Sequence, residues 1–588
     1  MIAMCLRVPA WLCLIALAAP CSLSAQERAI DLSPRSWPEG ELTRFFEMAE
    51  RFGDPESFAR SELGVITTTT SAPAARAGLE ALRQGGSSVD AALTTALAQV
   101  VLSAGSWVSF AGILTMVHYD AETGTTHNLN AAYDIPRGEK DPSSIPASGP
   151  SGRTALVPGF LAGVEAAHER FGRLPFASLF GPAIYFAEEG FPLHALHESM
   201  IRRRADVLQR LPETRAIFTK KNGELVEAGD IFAQPTLAKT LRRVAGEGRG
   251  YFYEGEWAEH FVAAIRREGG HVQKEDLSEF QATWTQPLTI PFGDFVIHAH
   301  GLPAQGGAHL AEALNLINQA GLTELPHFTE SPESFFWLSQ ITNLMALSFI
   351  PKSTRGLLTG GKASLLDRTS PEHAKQLWKK MKSGSFPITQ APNPKESKHS
   401  DGIVVIDRDG NITALVHSIN TSSWGETGLF VDGVSIPDSA SFQQLQMAEA
   451  GAGNRLPDPT EPLIVTKDGK PILGLASIGA GLHQKTVCVL LNLLAFDMGI
   501  EDAIAGPSLH LPKFSSAGKG TPQVFEGDFE GELIEGVRSL GLEVEVVSND
   551  LSSRAPRGYV VGAILDPESG ERRAMSTRVL NSPALGQE

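Results

Sequence analysis

The sequence predicts an α+β fold. Apolar, β-branched runs flank the dipeptides Asp409-Gly410 and Asp468-Gly469, a hairpin signal that implies antiparallel strands. Helical stretches with caps and glycine stops fill much of the first half. The chain has 588 residues, 42% apolar and 20% charged, enough for a large core and ordinary for a soluble globular protein.

Residues 1–25 stand apart. Arg7 is their only charge, an apolar stretch runs from Trp11 to Pro20, and Leu23-Ser24-Ala25 fits a signal-peptidase site. The stretch is too short to span a bilayer, so it reads as a cleaved export signal, with a periplasmic or extracellular destination. Cys21 would suit a lipoprotein, but Pro20 before it fits poorly, and secretion ranks first. Cys5, Cys13 and Cys21 leave with the signal; Cys488 alone remains, with no internal disulfide or cysteine metal cluster. Losing Arg7 takes the formal charge from −17 to −18, which argues against nucleic acid or an anionic membrane as partner.

Residues 26–62 read as a polar N-terminal arm, and 65–70 as the first strand. Helices follow over 73–84, with Pro at its start and Gly85-Gly86 as its stop, and over 88–101, capped by Ser87 or Ser88. Another runs from Val157-Pro158-Gly159 to about Phe171. Trp257, Phe261 and Ile265 share a helix face that ends at Gly269-Gly270. His298 and His300 share one strand face; no third ligand lies at a recognisable spacing, so they read as solvated or hydrogen-bonded rather than metal-binding. Residues 381–399 read as an exposed Pro-, Lys- and Ser-rich loop. Beyond the Asp468-Gly469 hairpin, Ser477-Ile478-Gly479-Ala480-Gly481 enters a helix from about His483 to Phe496, where free backbone N–H groups form a natural cradle for negative charge. A strand pair, 559–565 and 573–578, closes the chain.

Residues 399–420 hold the candidate chemistry. Pairing about a two-residue turn at Asp409-Gly410 puts Ser400 opposite Ile419, with Ser418 and Asn420 on either side and on one face. By themselves these residues are a hairpin end with polar caps.

The ordered set of motifs resembles the gamma-glutamyltranspeptidase family over most of residues 64–580. It includes Ala77-Gly78-Leu79-Glu80-Ala81-Leu82, Gly85-Gly86-Ser87-Ser88-Val89-Asp90-Ala91-Ala92 and Val157-Pro158-Gly159. Phe252-Tyr253-Glu254-Gly255, Gln305-Gly306-Gly307 and Val405-Ile406-Asp407-Arg408-Asp409-Gly410-Asn411 follow in the family's order. The resemblance implies a four-layer αββα sandwich of the N-terminal-nucleophile hydrolase type. It also implies a precursor that cuts itself into a large segment, 26–399, and a small one, 400–588. Cleavage would fall between His399 and Ser400, with Ser400 where the family uses Thr. Ser418 then matches the hydroxyl that orients the nucleophile, Asn420 a substrate-binding Asn, and Gly479 and Ala480 the oxyanion loop. No cofactor or metal is implied.

The departures fall on recognition. The family's carboxylate-clamping Arg aligns with Ala132, and nearby Arg137 reads as a surface charge. The family's Ser-Ser pair becomes Asp458-Pro459, and its later acidic position falls at about Asp438, so both aspartates are candidate substrate contacts. The expected partner is a small-molecule amide, γ-glutamyl by family default, although carboxylates in place of an Arg should repel an α-carboxylate. The alternatives are an acylase or amidase acting on another small amide, and a non-catalytic ligand-binding homologue.

Overall fold

The computed structural model describes residues 30–50, 57–359, 364–384, 400–514, 520–550, 553, 557–577 and 582–588. The expected signal (1–25), His399 and most of the 381–399 loop lie outside them.

Alternation along two strands sets the architecture. From Ser400–Ile406, Ile403 and Val405 pack with Leu415 against the helices Ala72–Arg83, Ser88–Leu102 and Phe160–Phe171. Val404 and Ile406 point the other way and meet Ala476, Ile478, Val561 and Ala563 of a second sheet. The far face of that sheet, with Ile297, Leu463, Leu473 and Val560, packs against helices that include Gln305–Ala320 and Leu482–Leu494. Three apolar layers therefore separate helix, sheet, sheet and helix, the expected four-layer αββα sandwich.

Both sheets are antiparallel throughout. One runs Ala584–Gly586, Val65–Thr68, Ser400–Ile406, Ile412–Ser418, Ile113–Asp120, Thr125–Ala131, Thr283–Thr285. The other runs Phe58–Ser61, Arg572–Ser576, Tyr559–Leu565, Lys470–Ile478, Leu463–Lys467, Phe295–Ala299, Leu288–Phe292. Ser87 caps its helix by accepting from the Asp90 N–H, and Asp90 returns a bond to the Ser87 N–H.

Several expectations need correcting. Within the expected arm of 26–62, the described residues form regular structure: Glu41–Glu50 is a helix that buries Phe45 and Met48, and Phe58–Ser61 is an edge strand. The chain ends on another strand, Ala584–Gly586, which joins the Ser400 sheet, so the 559–576 pair does not close it. The central hairpin has a three-residue loop. Asp407 N–H donates to Asn411 O (3.1 Å) and Gly410 N–H to Asp407 O (3.2 Å), while Gly410 alone takes a positive φ of 86°. The register therefore slips by one, and Ser400 lies directly opposite Ser418. The other hairpin keeps a two-residue turn, with Asp468 and Gly469 at φ 51° and 77°.

Candidate active site

Ser400 heads its strand, half-buried, and shares with Val404 and Ile406 the face that looks into the seam between the sheets. Its hydroxyl donates to Ser418 Oγ at 2.7 Å. Ser418 Oγ also accepts the Asn420 N–H at 3.0 Å. That bond requires the strand to stop: Asn420 sits at φ 53°, so strand alternation does not carry its side chain as the sequence reading expected. Asn420 is buried, and its Nδ2 has no hydrogen-bond partner among the described residues.

The facing sheet ends at the same level. A Cβ built on Gly402 would lie 3.2 Å from Ala476 Cβ and 3.4 Å from Ile478 Cγ2, so the Ser400 strand crosses the end of Lys470–Ile478 closely. Immediately beyond Ile478 come Gly479 (φ 81°), Ala480 and Gly481 (φ 88°), then the helix Leu482–Leu494. The two glycines hold backbone conformations that other residues rarely adopt, and the helix head leaves N–H groups free to meet negative charge.

Behind Ser400, on the helix-facing side of its strand, Asp401 is fully buried. Its carboxylate accepts from Thr70 Oγ1 (2.7 Å), Thr69 Oγ1 (3.3 Å) and Trp107 Nε1 (3.1 Å), while Thr69 Oγ1 accepts the Gly402 N–H (2.9 Å). Burial pushes the Asp401 carboxyl up to about 7, its three hydrogen bonds opposing the shift. His417 pairs across the strands with Asp401, bonds Gln99 through Nε2 (2.9 Å), and is held down to about 3 by burial.

The recognition candidates are less open than the sequence implied. Asp438 is buried, and burial raises its carboxyl. It accepts from the Thr421 hydroxyl and from Glu426 N–H (2.9 Å), which fixes the loop after Asn420. Its neighbour Ser439 donates to Ile419 O (2.6 Å), as does the Tyr133 hydroxyl (3.3 Å). Asp458 turns to Thr460, accepting its N–H (2.9 Å) and its hydroxyl, and lies 3.5 Å from His300 Nε2. His298 and His300 are hydrogen-bonded, to Thr466 (3.1 Å) and Asn128 (2.7 Å).

Ala132 is fully buried in an apolar cluster with Ile113, Tyr133, Leu156, Ala440 and Met447. Arg137 lies on the surface, paired with Glu279 at 2.5 Å. Three features escaped the sequence reading: Asp401, whose signal was a carboxylate in an apolar strand; Arg455; and the buried pair Glu461–His483. Arg455 binds Asp134 (2.6 Å) and Asn130 O (2.7 Å), tying the segment before Asp458 to the one that holds Ala132.

Two antiparallel sheets stacked between helical layers as an αββα sandwich define the N-terminal-nucleophile hydrolase fold class. Among solved structures, cephalosporin acylase from Bacillus halodurans shares the fold, with a TM-score of 0.74 at 20% identity over 95% of this chain and 100% of that one. The family is narrower. The gamma-glutamyltranspeptidase family model matches residues 74–562. The chain is 25% identical over 489 residues to the glutathione hydrolase proenzyme of Pseudomonas sp. (strain A14), spanning 76% of this chain and 82% of that protein. It is 26% identical over 540 residues to the glutathione hydrolase proenzyme of Pseudomonas aeruginosa, spanning 84% and 93%. The chain belongs to the gamma-glutamyltranspeptidase family and is an enzyme of that hydrolase or transferase kind. Among the described residues, no helix is long and apolar enough to cross a membrane.

Proposed function

We propose that this protein is an exported, self-processing amide hydrolase whose nucleophile is Ser400, freed as an N-terminal residue by cleavage after His399. The observation that carries the reading is the 2.7 Å bond between the Ser400 and Ser418 hydroxyls at the mouth of the seam. Cleavage would convert the Ser400 amide nitrogen to an amine with an ordinary pKa of about 7.7–8.0, suited to act as general base. Ser400 Oγ then attacks the substrate's amide carbon while its proton passes to that amine. The oxyanion meets the N–H groups of Gly479 and Ala480, and such a donor contributes about 3–4 kcal/mol in the transition state. Collapse expels the leaving amine, which takes the proton, and leaves an ester on Ser400. Water, or an acceptor amine, releases the acyl group. Ser418 orients the attacking hydroxyl, and Asn420, whose Nδ2 has no hydrogen-bond partner among the described residues, is the substrate contact.

Family membership and the names of the relatives make γ-glutamyl amides the first substrates to test. A second reading, an acylase or amidase for another small amide, is favoured by Ala132. Ala132 is packed among apolar side chains, Arg137 pairs with Glu279 on the surface, and Arg455, the cation beside Ala132, is engaged by Asp134 and Asn130. Asp438 and Asp458 act in either case by fixing the loops that border the substrate.

The test is a denaturing gel with N-terminal sequencing of the mature protein. Two chains are expected, the smaller beginning Ser-Asp-Gly-Ile, and Ser400→Ala should remain one inactive chain. An uncut parent that turns over substrate, or an active Ser400→Ala, would overturn the reading. Comparison of γ-glutamyl-p-nitroanilide with glutaryl- and phenylacetyl-p-nitroanilide separates the two substrate readings.

A further inference from the structure

Next to the glycine loop in the chain lies a buried carboxylate–imidazole contact that the proposed chemistry leaves unused. Glu461 Oε1 meets His483 Nδ1 at 2.8 Å, and each side chain is only 1% exposed. Glu461 lies two residues before the strand Leu463–Lys467 begins, and His483 is the second residue of the helix Leu482–Leu494. The pair thus ties the segment before Leu463 to the head of the helix that follows the Gly479-Ala480-Gly481 turn.

Glu461 is itself held rigidly. The Gln305 and Gly306 N–H groups donate to Asp458 O at 2.7 and 3.3 Å, seating the segment on the head of the helix Gln305–Ala320. Gly306 is there because nothing larger fits: a Cβ would lie 2.1 Å from Thr460 O and 2.7 Å from Glu461 Cγ. On the other side, Leu482 N–H donates to Gly479 O (3.2 Å) and Lys485 N–H to Gly481 O (3.0 Å), so a shift of the helix head moves the loop with it.

Stability alone accounts poorly for the contact. Taking a carboxylate and an imidazole out of water costs about as much as their attraction returns, and well-packed apolar residues often serve as well or better. Glu461 Oε2 moreover is buried with no hydrogen-bond partner among the described residues. A buried pair of this kind is better understood as fixing a register than as strengthening a core.

We propose that Glu461 and His483 are positioning residues for the oxyanion loop: their contact sets the height of the Gly479 and Ala480 N–H groups over the Ser400 hydroxyl. This rests on the reading of those N–H groups as the oxyanion site. A displacement of about 1 Å in such a group costs on the order of 100-fold in rate, while ground-state binding through Asn420 is left alone.

The test is kinetic, on whichever of the three p-nitroanilides the parent turns over fastest, with the cleaved fraction quantified on a gel. The double variant Glu461→Leu/His483→Leu removes both polar partners together, so its melting temperature should stay near the parent's or rise. Its kcat should fall about 10- to 100-fold with KM within about twofold. Glu461→Gln, which keeps the shape, should lose less of kcat, and it decides the matter if the double variant fails to fold. Variants that fold and keep kcat within about twofold of the parent overturn the proposal, as does a loss that falls on KM alone. Ser400→Ala runs in parallel. Turnover by that variant would remove the reading of the whole site, whereas a dead Ser400→Ala beside fully active pair variants removes only this inference.

Discussion

At the end of the Ser400 sheet the polar groups are two hydroxyls and an amide, joined by short neutral hydrogen bonds and open to the seam. At the wall beside it, where the family places its carboxylate clamp, Ala132 is sealed among apolar side chains and Asp438 is consumed by its own loop. On the proposed reading, the first region supplies the hydroxyls for acyl transfer, and the second lacks the family's clamp at Ala132. Chemistry and recognition are thus separable here. A hydroxyl pair is fixed by strand register, which the whole sheet enforces, whereas a clamp depends on single side chains that can be exchanged with little effect on the fold.

The largest expected effect lies on the first side. Ser418→Ala removes the acceptor of the Ser400 hydroxyl and of the Asn420 N–H at once. We expect kcat to fall by roughly 100-fold through misorientation of the nucleophile, with slower precursor cleavage. Steady-state kinetics together with a time course on gels checks this, and an unimpaired variant would show that Ser418 is only a strand end. On the second side, Ala132→Arg tests whether the clamp was merely deleted. The site is filled by apolar side chains, so the variant should lose about 3 kcal/mol or more of stability, measured by urea unfolding, and gain no γ-glutamyl turnover. A stable variant with improved γ-glutamyl kinetics would show that the wall can still hold the clamp.

The contrast also explains what the sequence revealed. Strands and helices were legible in the apolar, β-branched runs of 400–406 and 412–418 and the capped helix after Ser87, whereas the four-layer sandwich followed from the order of the motifs that resemble the family. The register was not legible. Asp-Gly occurs in both hairpins, and what separates them is the Asp407 side chain. Its carboxylate accepts from Asp409 N–H, Asn411 N–H and Asn411 Nδ2 and so stabilises the longer loop. The edge strands were hidden for a different reason: Phe58–Ser61 pairs with Arg572–Ser576 from the far end of the chain, and no local pattern announces such a partner. Asp438 and Asp458 could be located, but whether a carboxylate faces a substrate or its own loop depends on tertiary packing.

Asp401 lies between the two regions in effect, next to the nucleophile yet facing the helices. Its carboxyl is raised to about 7 from an ordinary 3.8 because burial disfavours the anion. The folded chain therefore holds this proton more tightly than the unfolded one. The group's contribution to stability is complete below about pH 4 and is lost as pH rises through about 7. Asp401→Asn cannot titrate, so the parent's urea midpoint should fall relative to the variant's between pH 5 and pH 8. A difference between the two that stays flat with pH would mean that Asp401 does not titrate in this range.

The smallest effect is expected at Arg137, and it decides whether a neighbouring cation has taken over the clamp. The Arg137 guanidinium pairs with Glu279 at 2.5 Å, but both side chains are about half exposed or more, at 46% and 59%. An ion pair so placed is screened by solvent and contributes about 0–1 kcal/mol. The backbone N–H of Arg137, which bonds Asp276 at 3.1 Å, is unaffected by trimming the side chain. Arg137→Ala should therefore shift the urea midpoint barely at all. It should also leave KM for γ-glutamyl-p-nitroanilide, or for the preferred anilide, within about twofold of the parent's. A severalfold rise in KM confined to the γ-glutamyl substrate would reverse this assignment: the side chain would then have to leave Glu279 and reach the bound α-carboxylate. The recognition wall would in that case have been moved by a few residues rather than dismantled.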